Sequence, residues 1–177
     1  LVGYGYASKT FHAPLISGTP GLALTTVSSS DAAKVHADWP GAKVVSAAGE
    51  LLNDPEIDLV VIATPNDTHF PLAKAALEAG KHVVVDKPFT VTLSQARELE
   101  SLAKHCGRVL SVFHNRRWDS DFLTVRTLID EGLLGEVCYF ESHFDRFRPE
   151  VRVRWREQNV PGSGLWFDLG PHLIDQT

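Results

Sequence analysis

The sequence predicts an α/β protein with a doubly wound parallel sheet, followed by the start of a second α/β domain. From the start of the chain, short apolar β-branched runs alternate with stretches that have apolar residues at helical spacing. After Trp118 this alternation stops, and the long alternating run 137–147 is typical of a strand in a mainly antiparallel sheet. We therefore predict two domains, 1–118 and 119–177, the second of them truncated.

Each element of the first domain follows from its own apolar pattern. Residues 1–2 form the tail of the first strand, and further strands are expected over 22–27, 57–63, 83–85 and 109–113. Helices are expected over 9–17, 32–37, 70–79 and 92–106, with one more in the second domain over 121–131. Because ligands bind at the carboxyl ends of strands in such sheets, the residues that follow each strand are the candidate site.

Composition and charge exclude several classes of function. The net charge of −5 argues against a nucleic-acid partner, and no apolar run is long enough to span a membrane. Cys106 and Cys138 have neither metal nor redox spacing, so we expect a cytoplasmic protein with free thiols. The sequence contains no methionine, and it begins and ends inside predicted elements, so we expect a fragment of a longer chain.

A glycine-containing turn, Gly-Tyr-Gly-Tyr-Ala-Ser, follows the first strand and leads into a helix. Strand, glycine turn and helix are the context of a dinucleotide-binding fingerprint. Gly3 permits the tight turn, Gly5 lets main-chain amides approach a pyrophosphate, and Ser8 occupies the position of the third glycine. Tyr6 and Ala7 complete the predicted cofactor-binding turn. A plain strand-to-helix turn is the alternative interpretation.

The end of the second strand bears on the choice of cofactor. An acidic residue there would bind the ribose hydroxyls of NAD, but this chain has Ser28 and Ser29. Ser28 cannot repel the 2′-phosphate of NADP, and Lys9 and Lys34 could attract it. The sequence therefore favours NADP over NAD, while Asp31 nearby keeps NAD open.

The next two strands also end in polar residues. We expect the following residues to contact the cofactor: Thr64, Pro65, Asn66, His69, Asp86 and Lys87. Polar groups at several strand ends of one sheet favour a binding site over coincidence. Taken singly, each has a plain alternative, namely helix capping by Asp67 or Thr68 and a solvated turn for Lys87.

Near the end of the chain, a glycine segment leads into an apolar stretch that contains Asp168 and His172. If this stretch is helical, the two residues share a face, and Pro171 is expected in the first turn. A carboxylate that orients an imidazole suits proton transfer. A metal pair there, or at His143 and Asp145, is an alternative, but no third ligand with convincing spacing follows, and we predict no metal.

These motifs, in this order, resemble the glucose–fructose oxidoreductase and inositol dehydrogenase family, Gfo/Idh/MocA. The similarity spans nearly the whole chain and includes the glycine turn and the segments 64–69, 79–83, 86–88, 116–119 and 164–172. The chain departs from the family pattern at Asp86, where a glutamate is usual, at Ser8, and in lacking an acid after the second strand. The resemblance implies a Rossmann domain followed by a substrate and oligomerisation domain.

The resemblance also implies an NAD(P)-dependent enzyme that transfers a hydride between a nicotinamide and a hydroxyl-bearing carbon of a sugar, polyol or related compound. By this similarity Lys87, Asp168 and His172 look like the catalytic group. His172 would take the hydroxyl proton, Asp168 would orient the imidazole, and Lys87 would stabilise the alkoxide. A homo-oligomer formed through the second domain is expected. A nicotinamide-binding regulatory sensor and a redox-neutral glycoside-cleaving relative are the alternatives.

Overall fold

The computed structural model of the protein describes residues 1–145, 147–150, 153–154 and 157–177. These residues form two structural units, Leu1–Phe113 and His114–Thr177. The domain boundary after Trp118 stays a prediction.

Strands and helices alternate along the first unit, all of whose residues are described. The strands are β1 (Thr26–Ser28), β2 (Lys43–Val45), β3 (Leu59–Ile62), β4 (His82–Asp86) and β5 (Leu110–Phe113). A π-helical segment (Ser8–His12) continues as α1 (Ala13–Gly18), and the later helices are α2 (Ala32–Asp38), α3 (Ala48–Leu52), α4 (Asn66–Glu78) and α5 (Leu93–Cys106). The predicted α/β alternation is therefore confirmed.

Val2 joins the strands into one parallel sheet. It bridges Ser28 on one side and Ile62 on the other, both in parallel orientation. The β1–β2 pair and the β3–β4–β5 group are also parallel, so the order across the sheet is β2, β1, Val2, β3, β4, β5. The chain thus winds outwards in both directions from Val2, which confirms the doubly wound sheet and makes this strand the switch point where ligands bind in such folds.

The sheet is covered by helices on both faces, so its strands alternate between two apolar clusters. Val60 and Ile62 pack with Leu77 of α4 and Leu99 of α5. Their neighbour Val61 points the other way and packs in a second cluster whose members include Ala13, Val27 and Val35. This period of two explains the continuous β-branched runs, because a strand buried on both faces needs apolar residues at every position.

Two elements were not predicted, and one strand begins later than predicted. β2 and α3 are short, and their sequences carry too few apolar residues for a clear periodicity. β1 begins at Thr26 rather than at residue 22, because the ladder starts where Thr26 is opposite Lys43. Leu22 is instead exposed and closes a turn through its amide, which donates to the Thr19 carbonyl.

The second unit consists of a 3₁₀ segment (Asn115–Trp118), α6 (Ser120–Asp130), α7 (Leu165–Asp175) and connecting loops in its described part. The strand predicted over 137–147 is absent from residues 137–145 and 147; residue 146 lies outside the described residues. A strand needs a hydrogen-bonded neighbour, and no described segment pairs with this one. The antiparallel sheet stays a prediction. None of the helices formed by the described residues has the length and apolarity needed to cross a membrane.

Candidate active site

The predicted cofactor-binding residues of the first unit follow the carboxyl ends of neighbouring strands. In the sheet, Val2 is aligned with Ser28 and Ile62, Ile62 with Val85, and Asp86 with Phe113. The segments that continue these strands therefore lie along one edge. This edge carries Gly3, Gly5, Tyr6, Ala7, Ser8, Ser28, Ser29, Thr64, Pro65, Asn66, His69, Asp86 and Lys87, whose contact with a cofactor stays a prediction.

Gly3 and Gly5 have different roles in the turn after the first strand. Gly3 has a φ of +86°, and a Cβ atom there would lie 2.7 Å from the Ala63 carbonyl oxygen and 3.0 Å from Thr64 Cγ2. The protein itself therefore excludes a side chain at Gly3. A Cβ atom at Gly5 would meet no atom within 4 Å. Gly5 thus keeps open space beside the main chain, as a turn that receives a pyrophosphate requires.

Ser8 shows how the turn works without a third glycine. Its side chain is fully buried, and its hydroxyl donates a 2.9 Å hydrogen bond to the Gly3 carbonyl. The Lys9 amide donates to the Gly5 carbonyl at 3.0 Å and begins the helix. The serine therefore ties the start of the helix back to the turn.

Tyr6 is exposed, and its ring meets that of Phe11 edge to face at 6.0 Å.

Ser28 and Ser29 give the end of β1 no carboxylate. Ser28 is buried, and its carbonyl accepts a 2.9 Å hydrogen bond from the Gly3 amide. The Ser29 hydroxyl accepts from the Asp31 amide at 3.1 Å. The Asp31 carboxylate caps α2 by accepting from the Lys34 amide at 2.9 Å. The acid nearest to this strand end is therefore engaged in helix capping.

Lys9 and Lys34 have different surroundings. Lys34 Nζ donates a 3.0 Å hydrogen bond to the Tyr4 carbonyl, which holds this cation against the glycine turn. Lys9 Nζ lies 2.8 Å from Asp38, which also accepts from the Tyr4 hydroxyl at 3.0 Å. These hydrogen bonds, that from Lys9 being the stronger cause, lower the pKa of Asp38. Asp38 therefore balances the charge of Lys9, so Lys34 is the better candidate for a phosphate contact.

The segment after β3 is organised by hydrogen bonds to Thr64 and Pro65. The Thr68 hydroxyl donates to the Pro65 carbonyl at 2.6 Å, so it accepts from the Thr64 hydroxyl, which lies 2.6 Å away. Asn66 is buried at the start of α4. Among the described residues, no side-chain hydrogen bond caps the start of α4, so the capping alternative for Asp67 and Thr68 is wrong. Thr68 instead binds back to the segment that precedes the helix, and Thr64 stays at the sheet edge.

His69 is fully buried, and both of its ring nitrogens contact main-chain carbonyls. Nδ1 lies 2.8 Å from the Pro88 carbonyl oxygen and Nε2 lies 2.9 Å from that of Thr64. Carbonyl oxygens only accept, so the ring donates in whichever of these contacts is a hydrogen bond. The imidazole joins the segment after β3 to the segment after β4, and its polar atoms are used within the protein.

Asp86, at the end of β4, is held by two donors. His12 Nε2 lies 3.1 Å from Asp86 Oδ2, and the Lys87 amide donates to Oδ1 at 2.7 Å. Burial acts to raise the pKa of Asp86, but the hydrogen bond and charge of His12 and the amide and charge of Lys87 outweigh it and lower the pKa. The carboxylate directly before Lys87 is therefore kept ionised.

His12 was not identified from the sequence. It lies inside a helix rather than after a strand, and the residue with which it pairs is 74 positions away along the chain. The available signal was a histidine one helical turn after Ser8, on the same face of the predicted helix. Both residues are buried, and the His12 ring lies 4.2 Å from that of Phe113 at the end of β5.

In the second unit, α7 carries both Asp168 and His172, one turn apart on one face. His172 is buried and Asp168 is half-buried. Pro171 lies inside the helix and not in its first turn, which corrects the prediction. Gly164, with a φ of +90°, starts the helix earlier, and the Trp166 ring packs close to Gly170 one turn later.

The end of α7 is fixed to the 3₁₀ segment of the same unit. Arg117 Nε donates to both carboxylate oxygens of Asp175 at 2.7 and 2.9 Å. Gln176 Nε2 donates to the Arg116 carbonyl at 2.9 Å. These bonds hold the helix that carries His172. The convergence of Lys87 with Asp168 and His172 stays a prediction.

The residues of the first unit fit a bound nicotinamide dinucleotide. Gly5 leaves room for a phosphate at the start of a helix, where main-chain amides and the helix dipole favour an anion. Lys34 adds a cation beside the turn, and Thr64 offers a hydroxyl at the next strand end. Lys87 follows β4 on the same edge. These groups provide phosphate binding, hydrogen bonding to the cofactor and a primary amine for chemistry.

The chain is similar to several known proteins. It is 77% identical over 177 residues to the uncharacterized oxidoreductase YdgJ of Escherichia coli, covering 100% of this chain and 51% of that protein. It is 42% identical over 177 residues to the scyllo-inositol 2-dehydrogenase (NADP(+)) IolW of Bacillus subtilis, covering 100% of this chain and 49% of that protein. The chain therefore spans about half the length of the curated relatives it matches.

A solved structure and two family profiles extend this similarity. The structure of YPO2259 from Yersinia pestis superposes with a TM-score of 0.92 at 73% identity, covering 99% of this chain and 49% of that one. The profile described as an oxidoreductase family with an NAD-binding Rossmann fold matches residues 1–114, and the profile of a GFO/IDH/MocA C-terminal domain matches residues 122–177. The chain belongs to the Gfo/Idh/MocA family of oxidoreductases, whose first domain is an NAD-binding Rossmann fold.

Proposed function

We propose that the full-length protein is an NAD(P)-dependent oxidoreductase that transfers a hydride between a nicotinamide and a hydroxyl-bearing carbon of a sugar, polyol or related compound. One observation carries the proposal: the open glycine turn and Lys87 follow strands of the same parallel sheet on the same edge. A turn that can receive a dinucleotide phosphate and a primary amine are therefore found at one edge of the sheet. The domain that contains this sheet matches an oxidoreductase family.

The proposed roles follow from the chemistry of each side chain. When bound, the nicotinamide supplies the site that accepts or donates a hydride. His172 accepts the proton of the substrate hydroxyl, and Asp168 orients the imidazole from the preceding turn of α7. Lys87 provides a positive charge that stabilises the developing alkoxide. The side chains thus remove a proton and balance charge while the cofactor carries the redox change.

A polyol or sugar is the proposed substrate class, and NADP is the proposed cofactor. The similarity to IolW supports both, because its name describes an NADP(+)-dependent dehydrogenase of an inositol. The local chemistry supports NADP independently: β1 ends in serines, and Lys34 is held against the glycine turn. An oligomer formed through the second domain is proposed for the full-length protein, and light scattering tests it.

The test is a pair of substitutions in the full-length protein, assayed on a panel of sugars and polyols with each cofactor. Lys87→Ala and His172→Ala should each lower kcat by about 10²-fold or more, because each removes a group that acts in the transition state. The Kd for NADP should stay within about threefold of wild type for His172→Ala. Lys74→Ala is the matched control, since Lys74 is a half-exposed lysine of α4 paired with Glu98.

Turnover close to wild type in either variant would refute the catalytic role of that residue. The absorbance of reduced nicotinamide discriminates the other functions. A dehydrogenase changes it in proportion to product, whereas a redox-neutral enzyme forms product with no net change. A regulatory sensor would bind the cofactor and turn over no member of the panel.

A further inference from the structure

We propose that His12 and His69 are positioning residues that fix the main chain on either side of Lys87. This proposal rests on the function proposed above, in which Lys87 faces the substrate. Both histidines are buried, with 3% and 0% of their surfaces exposed, so neither is offered to solvent. One ring nitrogen of each histidine contacts the segment from Asp86 to Pro88.

His12 fixes the residue before Lys87. A carboxylate only accepts, so His12 Nε2 donates to Asp86 Oδ2 across 3.1 Å. The other oxygen, Oδ1, accepts from the Lys87 amide at 2.7 Å. The ring of His12 is also packed 4.2 Å from the ring of Phe113. The first helix and the end of β5 thereby set the orientation of the Asp86 carboxylate, and that carboxylate sets the direction of the Lys87 amide.

His69 fixes the residue after Lys87. Its Nδ1 contacts the Pro88 carbonyl at 2.8 Å, and its Nε2 contacts the Thr64 carbonyl at 2.9 Å. The imidazole is thus held between two strand ends by α4, the helix that carries it. Movement of the Pro88 carbonyl away from this position would break one contact in a fully buried setting, where an unsatisfied polar group costs about 1–3 kcal/mol.

The contacts of His12 with Asp86 and of His69 with Pro88 restrict the main chain from which the Lys87 side chain extends. A lysine has a long, flexible side chain, and its rotamers follow the main chain from which they start. Fixing the peptide groups before and after Lys87 limits where its amine can reach. A displacement of about 1 Å in a catalytic group costs up to about 100-fold in rate. The two histidines therefore act on the reaction through the position of Lys87, without touching substrate.

The experiment compares leucine and glutamine substitutions in the full-length protein. His12→Leu and His69→Leu fill similar volume but remove the donors, and each should lower kcat by at least about tenfold. His12→Gln keeps an N–H donor for Asp86 and should recover most of the loss. In a Lys87→Ala background, the same leucine substitutions should change kcat by less than about twofold, because residues that act as a unit are not additive.

His82→Leu is the matched control. His82 lies at the opposite end of β4, and its Nδ1 accepts a comparable 2.9 Å hydrogen bond from the Val109 amide. This variant should keep kcat within about twofold of wild type. Equal losses of kcat with and without Lys87 would overturn the proposal, because a residue with a purely structural role lowers activity in both backgrounds. Wild-type kcat in His12→Leu and His69→Leu would also overturn it.

A second measurement needs no substrate and separates this proposal from the proposed function. Hydrogen exchange of the Lys87 amide, followed by NMR, should be at least about tenfold faster in His12→Leu than in His82→Leu. Unchanged exchange would refute the His12 contact even if the enzyme is a dehydrogenase. Full turnover in Lys87→Ala would refute the catalytic function but leave the exchange result standing. If His12→Leu does not fold, Asp86→Asn removes the charge from the same contact and is measured instead.

Discussion

Buried and half-buried polar residues at the sheet edge, such as Ser8 and Asp86, have partners of suitable charge and geometry. Asp86 lies between His12 and the Lys87 amide, and Ser8 is bonded to the turn that it follows. An unsatisfied buried polar group costs about 1–3 kcal/mol, so each of these bonds is needed for the residue to be tolerated. Polar residues at these positions are thus compatible with a strongly apolar sheet because their partners are also built into the fold.

Asp86 gives a prediction about pH and stability. Its pKa is lower in the folded protein than in the unfolded chain, so it stabilises the fold fully above its ordinary pKa. This contribution is lost as the pH falls through the lowered value. Asp86→Asn should therefore reduce the free energy of unfolding by about 1–2 kcal/mol at about pH 7 and by less at about pH 3. Urea unfolding at both pH values measures the difference.

Measuring Asp86→Asn at two pH values separates the effect of the lost charge on stability from the effect of the changed side-chain shape. Asparagine has nearly the same volume as aspartate and keeps an oxygen that can accept from the Lys87 amide. A penalty that is equal at both pH values would show that the charge of Asp86 contributes nothing to stability. Asp67→Asn serves as the control, since Asp67 is an exposed residue in the first turn of α4.

At the scale of elements, the two glycines of the turn after the first strand have different roles. Gly3 is required by the fold, and Gly5 is proposed to leave room for the cofactor. Gly3 has a positive φ and packs against the end of β3, whereas Gly5 borders open space. The two glycines are therefore expected to respond differently to the same added methyl group. This contrast is specific, because only one residue, Tyr4, lies between the two glycines in the chain.

Gly3→Ala should destabilise the fold by more than about 2 kcal/mol, because its Cβ would lie 2.7 Å from a carbonyl oxygen at a strained φ. Gly5→Ala should change stability by less than about 1 kcal/mol but weaken NADP binding at least about tenfold, since its methyl group occupies the space left for a pyrophosphate. Thermal unfolding and fluorescence titration measure the two effects. Wild-type NADP affinity in Gly5→Ala would contradict the predicted location of the cofactor.

The helix α7 shows a tertiary contact prevailing over a local preference. A proline inside a helix removes one hydrogen bond, so we expected Pro171 in the first turn of the helix. In the structure the helix begins at Leu165 and is held at its far end by Asp175, which receives two hydrogen bonds from Arg117. The hydrogen bonds from Arg117 to Asp175 and from Gln176 to the Arg116 carbonyl hold the helix beyond Pro171.

At the scale of the whole molecule, the apolar core is unevenly distributed. Every buried apolar residue among the described ones lies in the first unit, between Leu1 and Ala103. The second unit exposes large apolar side chains instead, among them Tyr139, Phe140 and Phe147. The chain also spans about half the length of its curated relatives. The first unit is therefore expected to account for most of the stability of these 177 residues.

Hydrogen exchange followed by mass spectrometry tests this distribution on the 177-residue chain. Amides of β3 and β4 should exchange at least about 100-fold more slowly than those of α6, because local stability follows the number of buried apolar contacts. Peptides from α2, which is short but packs in the core of the first unit through Val35, provide the comparison for helix length. Equal protection of α6 and β4 would show that the second unit has a core of its own.

Elements that depend on interactions between residues close in the chain could be predicted from the sequence, whereas features that depend on contacts between distant residues could not. Short apolar runs marked β3, β4 and β5, and apolar residues at helical spacing marked α4 and α5, because these signals are local. β2 was missed because a three-residue strand is defined by its neighbour and not by its own pattern. Because the strands could be located from the sequence, the candidate site residues that follow them could be named as well, and their contact with a cofactor stays a prediction. His12 and the supporting role of His69 were not, since each depends on a partner from another element.

By itself, the sequence determined the α/β alternation, the parallel sheet, the glycine turn and the residue types that follow each strand. The tertiary structure alone decided that Val2 joins the two halves of the sheet, that Ser8 bonds to Gly3, and that two histidines hold the main chain around Lys87. The physical reason is that propensity and periodicity act between residues a few positions apart. Hydrogen bonds such as that of His12 with Asp86 join residues 74 positions apart and exist only once the register of the sheet is fixed.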